Sequence, residues 1–141
     1  MTDRSLRIAV AALALAGAGI ASYLVFEHYS GGSVACTFGG GCETVQHSRY
    51  SSVLGVPVAL LGLTAYVALL GLAFSRSQVA HAAGLAVALT GVVFSAYLLY
   101  AQIALVGAIC QWCVANDAVV STIAAISLLR LRSFRLQAAA G

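Results

Sequence analysis

Between Ile8 and Leu129 the chain carries only five charged side chains, Glu27, Glu43, Arg49, Arg76 and Asp117, and long apolar runs lie among them. A bilayer-spanning helix needs about 20 mostly apolar residues, because each adds about 1.5 Å and the hydrocarbon core is about 30 Å thick. Four spans fit: about 8–26, 56–74, 79–103 and 109–129. The third keeps its apolar character to Gly107, an excess that tilt absorbs. Gly55 and Pro57 mark where a loop passes into the first turn of the second span. With 62% hydrophobic and 8% charged residues in 141, the chain has too little charge to solvate a soluble globule. The expected fold is an all-α integral membrane protein, one domain over residues 1–141, built as a four-transmembrane-helix bundle with a loop of residues 27–55 between helices 1 and 2. Arg4 and Arg7 before the first span also fit a signal peptide, but its length and the lack of a small-x-small site after Phe26 favour a retained helix.

Orientation follows from arginine, since the chain has no lysine. Arg4, Arg7, Arg76, Arg130, Arg132 and Arg135 all fall on one side when both termini face the cytoplasm; Arg49 alone falls outside. That is the positive-inside pattern of a multi-pass protein of the inner membrane. The net charge of +3 thus reads as a topology signal, and no basic soluble face exists to bind nucleic acid.

This threading puts all four cysteines, Cys36, Cys42, Cys110 and Cys113, at or near the outer, oxidising face. Four cysteines allow three pairings, and spacing alone does not choose among them. CQWC, Cys110 to Cys113, heads the fourth span. Such a short ring restrains little of the unfolded chain, so a purely structural bridge is the weaker reading. A helix's first turn has another effect: its positive dipole end favours a thiolate. CTFGGGC, Cys36 to Cys42, lies among Gly31, Gly32, Gly39, Gly40 and Gly41, which predicts an arm able to swing and exchange with the membrane-edge pair. A zinc site using these cysteines with His28 or His47 is disfavoured, because its ligands would be split between a mobile arm and a membrane helix. Val114 after Cys113 breaks a haem-attachment motif, and His81 lies near the inner face, away from the cysteines.

The first span, the outer loop with its cysteine pair, CETVQHSRYSSVLGVPVALLG leading into the second span, and the CxxC heading the fourth together resemble the vitamin K epoxide reductase family, in its stand-alone bacterial form. The resemblance implies a four-helix bundle holding a quinone, ubiquinone or menaquinone, near the membrane CxxC, with a short loop helix capping the pocket. It makes Cys36 and Cys42 a shuttle pair, Cys110 and Cys113 the active-site pair, and Cys113 the sulfur beside the quinone. Ser48 matches the loop serine or threonine six residues after the second shuttle cysteine. The implied activity is quinone-coupled thiol oxidation that supports disulfide formation in a thioredoxin-like periplasmic partner. Many bacterial members carry that partner fused; this chain ends at Gly141, so a separate protein is expected, with the enzyme itself a monomer. A vitamin K epoxide or quinone reductase fed by a dithiol, and a non-catalytic scaffold with structural disulfides, are the alternatives. The animal enzymes place a tyrosine four residues after the last CxxC cysteine, where this chain has Asp117, so the resemblance does not extend to that residue's role.

Asn116 and Asp117 follow Cys113 by three and four residues and share its helix face. Aspartate deep in a span costs about 2.5–3.5 kcal/mol and usually faces a bundle interior, but Asp117 stands only about two turns from the outer end, which lowers that cost. Asp117 is read equally as a hydrated helix-start carboxylate and as a proton or hydrogen-bond partner of the quinone. Trp112 is expected to wall the pocket or anchor at the headgroups; Gln102, Tyr97 and Tyr100 of the third span are weaker candidates within reach of it, since tyrosines near a membrane surface more often serve as interfacial anchors. Ala138–Ala140 reads as a disordered tail.

Overall fold

The computed structural model describes residues 2–141, and helices dominate it: α1 (Asp3–Ser30), α2 (Cys42–Gln46), α3 (Val58–Phe74), α4 (Gln78–Tyr100) and α5 (Gln111–Ala140). A π-helical turn, Ala101–Val106, continues α4. Three segments, Asp3–Ser30, Gln78–Val106 and Gln111–Ala140, are long and apolar enough to cross a membrane. The 17 residues of α3 sit at the lower end of the spanning range of about 17–25.

The helix ends have local causes. Thr2 caps α1, its Oγ1 accepting the Ser5 N–H at 3.3 Å, and Ser77 caps α4 by accepting the Ala80 N–H at 3.1 Å. α1 runs past Phe26 to Ser30, where Gly31 (φ 68°) turns the chain out of the helix. α3 begins after Pro57, and α5 continues through Ala138–Ala140, correcting the expected disordered tail. Alanine has the highest helix propensity, so the tail extends the helix it follows.

Small residues meet inside and large ones face outward. Ala14 and Ala21 of α1, Ala73 of α3, Ala88 of α4 and Ala124 of α5 are buried together with Val10, Tyr66, Leu69 and Ile123. Ile8, Leu15, Phe26, Val67, Phe74, Val93 and Leu129 are exposed around the outside. In lipid an apolar surface costs nothing, so helices associate by close packing across small side chains. α1 packs on α3 and α5, and α4 on α5 and α3.

The two ends of the bundle differ. At one end the buried Arg130 of α5 donates from Nε to Asp3 Oδ1 (3.3 Å) and from Nη2 to the Ala73 carbonyl (3.4 Å), with His81 Nε2 3.2 Å from Nη2. One guanidinium thus touches the start of α1, the end of α3 and the start of α4. The four cysteines lie at the other end, since Gln111 and Arg130 are separated by about 29 Å of helix at about 1.5 Å per residue. Between α1 and α3 the chain forms α2, a 3-10 turn (Arg49–Ser51) and a hairpin of β1 (Ser52–Val53) with β2 (Val56–Pro57), paired antiparallel. The all-α expectation omits this hairpin, whose two-residue turn places both Leu54 (φ 52°) and Gly55 (φ 82°) in the left-handed region.

Candidate active site at the cysteine end of the bundle

The approach to α5 is set by Gln102. The π turn ends at Gly107 (φ 71°), and the chain folds back so that the Gln102 carbonyl accepts the Ala108 N–H at 3.1 Å. The Gln102 side chain, 3% exposed, accepts the Cys110 N–H through Oε1 at 2.8 Å. Cys110 is thereby fixed at the N-cap of α5, fully buried, and Cys113 falls in the helix's first turn. Both carry free thiols.

Cys36 and Cys42 are joined as a disulfide. The glycine run between them is a shaped turn: Gly39 (φ 78°) and Gly40 (φ 63°) take left-handed conformations, and Gly41 passes against Ile109. A β-carbon on Gly41 would stand 2.7 Å from the Ile109 carbonyl oxygen and 2.8 Å from its nitrogen. Only glycine allows the two backbones to come so close. The expected swinging arm is therefore seated on the bundle. Cys42, fully buried at the start of α2, shares a cluster with Val45 and Cys110, while Cys36 is half-buried at its edge.

Beneath this cluster lies a cavity of about 530 Å³, roofed by the α2-to-Ser51 segment and walled by α1, α3, α4 and α5. Its walls are mainly apolar; its polar groups include Gln46, Ser48, Ser95, Gln102, Asn116 and Asp117, with Cys113 among them. Gln46 on α2 donates its amide N–H to both sulfurs of the CQWC pair, 3.8 Å to Cys110 and 3.6 Å to Cys113. Tyr66 of α3 donates to Asn116 Oδ1 at 2.8 Å, and the space over Gly17 of α1 is taken by the Tyr66 ring. The Tyr66 bond occupies the Asn116 carbonyl and leaves its NH₂ as a donor. Asp117 Oδ2 is buried with no hydrogen-bond partner among the described residues.

The family model of the vitamin K epoxide reductase family matches residues 8–128 of this chain. The chain belongs to that family. The matched stretch holds both cysteine pairs and every cavity-lining residue. Vitamin K epoxide reductase membership makes this a membrane oxidoreductase of a family that uses quinones. The cavity suits a quinone on its own merits. Its volume lies within the range of about 300–1,000 Å³ usual for small-ligand sites, its walls are apolar, and it holds an unpartnered carboxylate oxygen and an amide donor for the ring's oxygens.

Of the residues expected at a quinone, Cys113, Asn116, Asp117, Ser48 and Gln102 line the cavity. Ser48 does so with its hydroxyl donated to the Val45 carbonyl at 2.7 Å, closing the end of α2. Trp112 and Tyr97 do not. Trp112 lies outside because its indole N–H donates to the Ala35 carbonyl at 2.6 Å and its ring packs 5.1 Å from that of Tyr23. Tyr97 is half exposed on the outer face of α4, edge-on to Tyr50 at 6.4 Å, and Tyr100 is exposed as well. Sequence reasoning missed Gln46 and Tyr66. The first had a readable signal, standing four residues after Cys42 and so one helical turn away. The second had a weaker one, a hydroxyl in an apolar span that needs a partner.

Proposed function

We propose that this chain is a bacterial, quinone-coupled thiol oxidase that re-oxidises a thioredoxin-like periplasmic protein. It forms one membrane domain over residues 1–141 with four spans, the 17-residue α3 included, in the inner membrane. Both termini are cytoplasmic and the cysteines extracytoplasmic, supported by six of seven arginines on one side and by the Arg130 cluster at the end opposite the cysteines. The carrying observation is that a closed Cys36–Cys42 pair and the Cys110/Cys113 pair meet directly above an apolar cavity that Cys113 lines.

The relay runs by thiol exchange. The partner's thiolate attacks the more accessible Cys36, and Cys42 leaves as a thiolate. When the Cys110–Cys113 pair has been oxidised to a disulfide, Cys42, packed in one cluster with Cys110, attacks Cys110 Sγ, forming Cys42–Cys110 and breaking Cys110–Cys113, so that Cys113 leaves as a thiolate into the cavity. Gln46, bonded to both sulfurs, stabilises whichever of them carries charge. Asn116, held by Tyr66, offers its NH₂ to a ring oxygen, and Asp117 holds or passes a proton at Oδ2. A bound quinone supplies the two-electron acceptor for the Cys110/Cys113 dithiol.

Purified protein given a reduced thioredoxin-like partner and a soluble quinone should consume the quinone. Cys113→Ala should abolish this; a mutant with full turnover would refute the assignment.

A further inference from the structure

The two residues between the active-site cysteines, Gln111 and Trp112, do not line the cavity. Both hold the shuttle arm. Gln111 Oε1 accepts the backbone N–H groups of Thr37 (3.0 Å) and Phe38 (2.9 Å), and the Trp112 indole N–H donates to the Ala35 carbonyl (2.6 Å). Ala35 is held from its other side as well, its N–H donating to the Tyr23 hydroxyl at 3.0 Å. These bonds bracket Cys36 on both flanks, and none of them runs through the Cys36–Cys42 bridge. Cys42 is tied down separately, buried in the first turn of α2.

We propose, building on the relay above, that Gln111 and Trp112 are positioning residues that latch the Cys36 limb while the Cys36–Cys42 bond is open. The need arises late in the exchange. Once the partner has left oxidised, Cys36 is a free thiol and Cys42 is bonded to Cys110. The Cys36 thiolate must then attack Cys42 Sγ, forming Cys36–Cys42 and breaking Cys42–Cys110, so that Cys110 leaves as a thiol. Two thiols have entered from the partner and two stand at Cys110 and Cys113, and their protons balance likewise. An unlatched limb hinged at Gly39 and Gly40 would spread over many conformations and make this closing attack slow. With the latch, Cys36 stays beside Cys42 throughout.

The test uses the full-length protein. During partner-driven turnover, Gln111→Ala and Trp112→Phe should each accumulate the Cys42–Cys110 species, trapped by alkylation and read by mass spectrometry, roughly tenfold above wild type, the equivalent of one or two lost hydrogen bonds. Gln111→Glu keeps an acceptor oxygen and should bring the species back toward the wild-type level. A second readout needs neither partner nor quinone, because Trp112 is the only tryptophan. Reducing Cys36–Cys42 with a water-soluble phosphine should leave Trp112 emission in place in the wild type and shift it in Gln111→Ala. Emission that shifts in the wild type, or wild-type levels of the mixed species in both variants, overturns the latch. A wild type whose emission holds but which consumes no quinone keeps the latch and refutes the relay instead.

Discussion

Asp117 is a carboxylate one helical turn below Cys113, with one oxygen buried and unpartnered among the described residues. Native proteins leave few such groups, and where they do the atom has another use. Asp117→Asn keeps the shape and removes the proton-carrying carboxylate. Because positioned acid–base groups contribute about 10²–10⁴-fold, quinone turnover should fall by at least about tenfold. In the proposed relay the partner is oxidised above the cavity, so its single-turnover oxidation should keep its rate; stopped-flow measurement of the two half-reactions separates them. The cost of a charge in a span pointed Asp117 toward an interior, but its place near the helix start fitted a hydrated carboxylate equally, and the burial of Oδ2 decides between them. That Trp112 faces the arm was not legible in the sequence, since a tryptophan at a helix start satisfies headgroup, pocket and loop equally, and only the Ala35 carbonyl across 77 residues decides.

At the scale of elements, the long apolar runs made α1, α3, α4 and α5 readable to within about five residues at each end, except that α5 continues well past Leu129 to Ala140. Length sets those helices, and length is visible in a linear string. The π turn after α4 was not visible, because it exists to bring Gln102 back to Cys110 and is fixed by that tertiary bond. Glycines 39–41 carried an ambiguous signal: the composition of a flexible linker is also that of a tight, left-handed turn. Gly41→Ala separates the two. In a free arm it would change nothing, whereas here the new methyl meets Ile109 backbone atoms that no rotamer change can move. It should cost about 1–3 kcal/mol, the range for overpacking, seen as a lower unfolding temperature in detergent. The same substitution should also lower the yield of a Cys42–Cys110 cross-link.

On the scale of the whole molecule, the bundle is tied at one end by a charge and occupied at the other by chemistry. Arg130 reads in the sequence as one of six topology-setting arginines, and His81 as a residue without a task. The fold instead buries Arg130 against Asp3, Ala73 and His81, which no count of charges reveals. Arg130→Ala should destabilise the bundle by about 3 kcal/mol, the low end for a broken buried pair, because the half-exposed Asp3 can recover water. Thermal unfolding reads this, and exchange between the cysteine pairs about 29 Å away should persist below the lowered midpoint.

One segment, Cys42 to Ser51, carries one end of the Cys36–Cys42 disulfide and also roofs the cavity. Anyone refitting the pocket to a longer or bulkier acceptor from above would therefore be rewiring a sulfur at the same stroke. The freedom to diversify lies in α3 and α4, which wall the same space and carry no cysteine: side chains such as Ala65, Ala86 and Leu98 can be exchanged as a lock's wards are filed, with the electrical contacts left in place.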